Sequence, residues 1–304
     1  LIGAAAAAAL VPGTPAASGN ATIVAHGQSP YGEISVVEYR DARFLLIDGS
    51  MHTFTDAGSG DNLFPYVNVL DIPRFMFTGA GEALLIGLGG GSVAKRLSIF
   101  QWDVDAVEID PLVIKYAKEH FGLRPDYANI HQMDGRNFLR STEETWDMII
   151  LDAFGSGAVP FHLVTRESME LVSRRLRPGG IVALNVLTVG WKSDVVLSMA
   201  ATLETVFEEI VVLPIPEPPN SLGNVIILAA HRPLELRREI DRPYSRFSEE
   251  YDMTHAWDNR FRPDTENAIV FTDDRNPVDL WGERINLADR RYIRDFFRDA
   301  GFSW

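Results

Sequence analysis

Leu84-Leu85-Ile86-Gly87-Leu88-Gly89-Gly90-Gly91-Ser92 (84–92) is the stretch on which the fold turns. A short apolar run of strand type stops at a glycine, and four glycines in five residues lead into a helical segment. Such a loop lets the backbone approach a ligand closely just before a helix begins. Tight strand-helix packing alone would also use glycine, but four of them exceed what packing needs.

Outward from this loop the pattern repeats. Val104 to Glu108 reads as a second strand ending in Glu108-Ile109-Asp110-Pro111. Glu108 thus falls about 20 residues after the glycines, where a carboxylate accepts hydrogen bonds from ribose hydroxyls. Asp110 caps the helix that Pro111 opens, which is compatible with that role for Glu108. Further strands are expected at Ala83 to Gly87, Asn129 to Met133, Trp146 to Asp152 and Ile181 to Asn185, with helices between them. This alternation implies right-handed crossovers and a parallel, doubly wound α/β sheet. Ile210 to Leu213 and Asn224 to Ala230 would close its edge as a hairpin.

Acidic groups end three successive strands: Glu108, then Asp134 before Gly135, then Asp152 before Ala153-Phe154. They would line one cleft with negative charge, which suits a sulfonium or an amine better than a dinucleotide pyrophosphate. For Asp134 and Asp152 singly, helix capping is the competing reading. The chain carries a formal charge of -14, against nucleic acid as a partner and in favour of a cationic ligand, although acidity also simply keeps a protein soluble. Cysteine is absent, so thiolate metal sites and thiol nucleophiles are excluded; the seven histidines show no metal-ligand spacing, and no metal is expected.

The flanks divide the chain into four parts. Residues 1–20 are an apolar, then breaker-rich stub, read either as a disordered end or as the remnant of a membrane segment or signal sequence. Residues 21–60 hold alternating runs around the turn Arg40-Asp41-Ala42 and predict a small N-terminal antiparallel β domain. Residues 61–232, beginning with a helix expected over 62–77, form the Rossmann-like catalytic domain, and 233–304 a charged helical extension. In that extension Phe271 to Val278 reads as a turn capping the final helix. The helix itself, with Arg290, Arg291, Arg294 and Arg298 against Asp289, Asp295 and Asp299, reads as a solvated, ion-paired surface. Gly155-Ser156-Gly157 lacks a hydrolase frame and reads as a mobile loop over the cleft.

From about Ser29 to Val186 the chain resembles the polyamine aminopropyltransferases, the spermidine synthase family. The resemblance rests on Leu46-Ile47-Asp48-Gly49, the glycine loop, Val107-Glu108-Ile109-Asp110-Pro111, Asp134-Gly135-Arg136-Asn137-Phe138-Leu139 and Trp146-Asp147-Met148-Ile149-Ile150-Leu151-Asp152, in the family's order and spacing. It implies a methyltransferase-type Rossmann fold and, as co-substrate, S-adenosylmethionine or its decarboxylated form. It further implies that Gly87, Gly89, Gly90, Gly91, Glu108, Ile109, Asp134, Gly135, Asp152, Ala153 and His52 surround this nucleotide, Glu108 on the ribose and Asp134 with Gly135 on the adenine. Asp152 would deprotonate the attacking amine, with Tyr66 beside it.

Departures from the family pattern fall on the cation anchors. Gly90 stands where the family's loop carries an Asp, and Gly155 where a second Asp holds the acceptor polyamine. His52 and Gly32 replace glutamines, and the family's Tyr-His-Glu or Tyr-Gln-Glu segment appears as Tyr66-Val67-Asn68. The pattern is that of a divergent bacterial branch, some members of which are fused to membrane domains. The resulting expectation is an aminopropyltransferase-like enzyme releasing methylthioadenosine to a small-molecule amine other than plain putrescine. A methyltransferase, a lyase that needs no second substrate and gives methylthioadenosine with homoserine lactone, and a non-catalytic nucleoside-binding domain are the alternatives. A cytoplasmic location, with or without a membrane tether N-terminal to the chain, and a homodimer are compatible with the sequence.

Overall fold

A computed structural model describes residues 21–153, 160–216, 222–241 and 248–299. The stub over 1–20 and the loop Gly155-Ser156-Gly157 lie outside the described residues. Four antiparallel strands open the chain in sequential order: β1 (Thr22–Ser29), β2 (Gly32–Tyr39), β3 (Ala42–Ile47) and β4 (Ser50–Asp56). The β2–β3 turn falls at Arg40-Asp41, with Arg40 at φ 56°. Alternate side chains point to opposite faces of such strands. Here both faces are apolar: Val37, Ala42, Phe44 and Leu46 join one core cluster, Ile34, Val36 and Leu45 another.

The second sheet has seven strands in the order β10-β11-β9-β8-β5-β6-β7. The parallel strands are β5 (Glu82–Ile86), β6 (Asp103–Glu108), β7 (Asn129–Gln132), β8 (Trp146–Leu151) and β9 (Leu176–Val189); β10 (Glu209–Pro214) and β11 (Leu222–Ala230) add the antiparallel edge hairpin. Helices cover both faces. Ala83, Leu85, Met148 and Ile150 pack with α1 (Pro65–Leu70), α2 (Ser92–Ile99) and α7 (Glu249–Asp258). Leu84, Ile86, Ile149 and Leu151 face α4 (Gly135–Ser141), α5 (Arg166–Arg175) and α6 (Asp194–Glu204). Burial on both faces explains why these strands read as continuous apolar runs. The doubly wound α/β class with an N-terminal antiparallel sheet is the one the sequence predicts. Among the described residues no helix is long and apolar enough to cross a membrane.

Three elements differ from expectation. The helix over 62–77 is instead a short α1 followed by a 3-10 turn at Ile72–Met76. Pro65 opens α1, Pro73 cannot donate to continue it, and Asn62 folds back to accept from the Phe64 N–H. Strand β9 runs well beyond 181–185, because β11 pairs antiparallel with it from Ile181 to Val189. The final helix, α8 (Val278–Asp299), is not merely a solvated surface. Ile293 is buried against Phe44, Leu46 and Phe54, the Phe296 ring meets Tyr39 edge-on at 5.8 Å, and Asp289 is buried with a hydrogen bond to Ser50.

The N-terminal sheet is therefore covered on both faces. Its other side packs against α3 (Pro111–His120) through Val113 and Tyr116, and a side chain at Gly27 would collide with Leu112 at 2.9 Å. Ser29 donates to the buried Asp110, which also caps α3 at Leu112 N–H. The segment before α8 does cap it, through Asn276 Oδ1 and the Val278 N–H at 3.1 Å. It also docks elsewhere: Asp273 makes a bidentate pair with the buried Arg136, and Asn276 donates to the Phe161 carbonyl.

Candidate active site

Neighbouring connections leave in opposite directions between β5 and β8, and open α/β sheets bind ligands outside the carboxyl ends of strands at such a switch point. The glycine loop and Asp152 sit there. Gly87 adopts φ 96°, and a Cβ on it would lie 2.4 Å from the Asp152 carbonyl oxygen, so only glycine lets the two strand ends come this close. Gly89 and Gly91 also have positive φ, with Gly91 the N-cap of α2. Glu108 braces the loop: one oxygen accepts from Leu88 N–H at 3.1 Å and the other from Asp110 N–H at 3.0 Å. Burial raises its pKa, opposed by those backbone hydrogen bonds.

Strand β4 reaches over the loop. Gly90 N–H donates to Thr53 Oγ1 at 2.7 Å, and a Cβ at Gly90 would meet Thr53 Cγ2 at 2.6 Å and the Phe121 ring at 3.0 Å. Asp61, a nearby acid, is paired with Lys95 at 3.2 Å. His52 precedes Thr53, its carbonyl 3.6 Å from where a Gly89 side chain would start. The His52 Nε2 is buried without a partner, and burial pulls the imidazole pKa down to about 4 against the pull of Asp48. A neutral ring with a buried orphan nitrogen has hydrogen-bonding capacity left for a ligand.

Asp152 follows the end of β8. Burial pushes its pKa up to about 7, while hydrogen bonds from Asn185 and Tyr66 act the other way. Asn185 Nδ2 donates to Asp152 Oδ1 at 2.8 Å, and Asn224 Nδ2 donates to Asn185 Oδ1 at 2.9 Å. Tyr66, from the first turn of α1, donates its hydroxyl to the carboxylate, and burial beside that anion raises the phenol pKa well above its ordinary value. A carboxylate that titrates near neutrality beside a phenol is suited to proton transfer at ordinary pH.

On the far side of the loop, Asp134 caps α4 with one oxygen, accepting from Asn137 N–H at 2.8 Å, and meets His162 Nε2 with the other at 2.9 Å. The helix-capping reading of Asp134 is thus correct, yet each oxygen keeps a free lone pair. Gly135 lets α4 close on the sheet, since a Cβ there would stand 2.4 Å from Ile86 Cγ2. Ile109 and Ala153 are half-buried directly after Glu108 and Asp152. Val67 is 2% exposed in the core, and Asn68 is buried with its NH2 donating to Asp252 and its Oδ1 without a hydrogen-bond partner. The sequence reading passed over Thr53, His162, Asn185 and Asn224. Only Asn185 carried a signal, as the polar residue in an apolar strand.

A family model described as Spermine/spermidine synthase domain matches residues 67–237, more than half of the chain. A polyamine aminopropyltransferase of Vibrio vulnificus is 30% identical over 229 residues, covering 71% of this chain and 74% of its own. Solved structures share the fold. A probable spermidine synthase from Corynebacterium glutamicum superposes with a TM-score of 0.64 at 20% identity, over 87% of this chain and 94% of its own. A spermidine synthase in complex with the transition-state analogue AdoDATO gives 0.59 at 22% identity, over 69% and 74%. Sequence and fold together place this chain in the spermine/spermidine synthase family.

Proposed function

We propose that the protein transfers an aminopropyl-type group from an S-adenosylmethionine-class donor to an amine, with Asp152 as the base. The observation that carries this reading is the Tyr66–Asp152–Asn185 cluster beside the glycine loop, because nucleoside binding alone needs no buried carboxylate poised near pH 7. The donor presents an electrophilic carbon next to its sulfonium. Gly87 to Gly91 admit its backbone-hugging part, Glu108 accepts from the ribose, Asp134 and Gly135 lie toward the adenine, and His52 Nε2, Ile109 and Ala153 complete the surround. Asp152 accepts a proton from the acceptor amine, whose freed lone pair forms the carbon–nitrogen bond as the carbon–sulfur bond breaks. The departing electron pair stays on sulfur, leaving neutral methylthioadenosine. Proximity and the positioned carboxylate supply most of the rate enhancement.

Both intact and decarboxylated donors are accepted in this reading. No acid stands at position 90; Thr53 and Phe121 fill that space and Asp61 is held by Lys95, so a donor carboxylate meets no like charge there. The Gly90 N–H is taken by Thr53 and is not free to receive such a carboxylate. The intact donor is therefore tolerated rather than specifically gripped. Putrescine is a poor acceptor, since Val67 is turned into the core and supplies no polar partner.

The test is to incubate the protein with each donor, with and without a panel of amines, and to identify products by mass spectrometry. Amine-dependent release of methylthioadenosine from both donors, slow with putrescine, is expected. S-adenosylhomocysteine as product would make the reaction methyl transfer. Methylthioadenosine with homoserine lactone in the absence of amine would make it a lyase, and no turnover with any pair would overturn the enzymatic reading.

A further inference from the structure

Three polar side chains line up across three strands at the cleft. Leu151 pairs with Leu184 in the β8–β9 register, so Asp152 and Asn185 come next on the two strands. Asn185 opposes Ile226 on β11, and Asn224, two residues back, lies on the same face as its diagonal neighbour. Asn185 is only 3% exposed, between Leu184 and Val186, which are as deeply buried. A buried amide in a core strand is costly unless its hydrogen bonds are made, and an apolar residue of similar volume would serve packing better. Something other than packing accounts for it.

The direction of these hydrogen bonds supplies the reason. An asparagine side chain can turn either its oxygen or its NH2 toward a neighbour. Asn224 Nδ2 donates to Asn185 Oδ1, which commits the Asn185 oxygen to β11 and turns its NH2 toward Asp152. A donor facing a carboxyl favours the anion; a carbonyl oxygen there would favour the neutral acid. We infer that Asn185 and Asn224 act as paired positioning residues, an amide relay that holds Asp152 in its anionic, proton-accepting form, with Asn224 selecting which end of Asn185 faces the base.

The titratable group facing Asp152 is Tyr66 from α1; Asn185 faces it from β9, and no other ionisable side chain contributes to its shift among the described residues. The inference rests on Asp152 being the base, and its test separates the two ideas. Carbon-13 carboxyl NMR on aspartate-labelled, ligand-free protein reads the Asp152 midpoint directly, assigned by the signal lost in Asp152→Asn. In Asn185→Leu that midpoint should rise by about one to two pH units, the worth of one hydrogen bond to a charged group. In Asn224→Leu it should also rise, by less, although the side-chain hydrogen bonds to Asp152 come from Asn185 and Tyr66 and not from Asn224. The acidic limb of the rate–pH profile for methylthioadenosine release should move the same way in the same order. Should Asn185→Leu not fold, Asn224→Leu decides alone, since its side chain is only half-buried. A midpoint unmoved in the variants that fold overturns the relay. Shifted midpoints without amine-dependent turnover uphold the relay and overturn the transferase reading instead.

Discussion

Glu108 has each carboxylate oxygen on a backbone N–H, Leu88 on one side and Asp110 on the other, with Ile109 N–H as a third donor, and this leaves acceptor capacity for a ribose hydroxyl. Glu108→Ala should therefore weaken methylthioadenosine binding by about 10- to 150-fold, or roughly 1.5–3 kcal/mol, measured by calorimetry. Undiminished affinity would put the ribose elsewhere. Glu108 and Asp152 were legible in the sequence because each ends its own strand, so strand spacing alone locates it. Thr53 and Asn224 were not, since each matters through a contact far off in the chain, Thr53 with the Gly90 N–H and Asn224 with Asn185 across the β9–β11 register. Gly90 shows the difference: the sequence gives a missing acid, and only the fold reveals that Thr53 Cγ2 and Phe121 occupy the place an acid would need. Asp134 was read with two roles, and its capping bond leaves room for both.

Among the elements, α8 departs most from its sequence reading, and the cause is one of counting. Its charges read as a surface, yet Trp281, Ile285, Ile293 and Phe296 recur near a four-residue interval, and Asp289 falls within that stripe. The helix therefore carries this carboxyl into the contact with β4. Burial is the largest effect and raises its pKa to about 6, while the bonds from Ser50 and the Met51 backbone and the charge of Arg290 act against it. An acid raised in the folded state contributes stability that is present below its ordinary pKa and lost as pH rises through the folded value. Hydrogen-exchange protection of β4 and α8, corrected for intrinsic rates, should accordingly fall as pH rises from the ordinary value of 3.8 to about 6, and level off above it. Asp289→Asn should flatten that dependence; protection that instead rises with pH would contradict the assignment. The 62–77 segment differs from expectation for another reason: within its apolar content lies Pro73, which has no N–H to continue the α-helix.

Across the whole molecule, the N-terminal sheet is held between two helices from distant parts of the chain, α3 on one face and α8 on the other. Ile293, 2% exposed, sits in the second contact. Ile293→Ala should cost about 2–4 kcal/mol in urea unfolding, while a change within ±0.5 kcal/mol would show that α8 merely rests on the sheet. The arrangement also dictates a timetable. Everything that α8 covers is made before α8 itself, so on the ribosome the face bearing Phe44, Leu46 and Phe54 stays wet and adhesive until residues 278–299 emerge. Transiently exposed apolar sheet of this kind invites aggregation. The final helix thus works as a latch on assembly, and the hazard to a newborn chain lasts as long as translation takes to reach it.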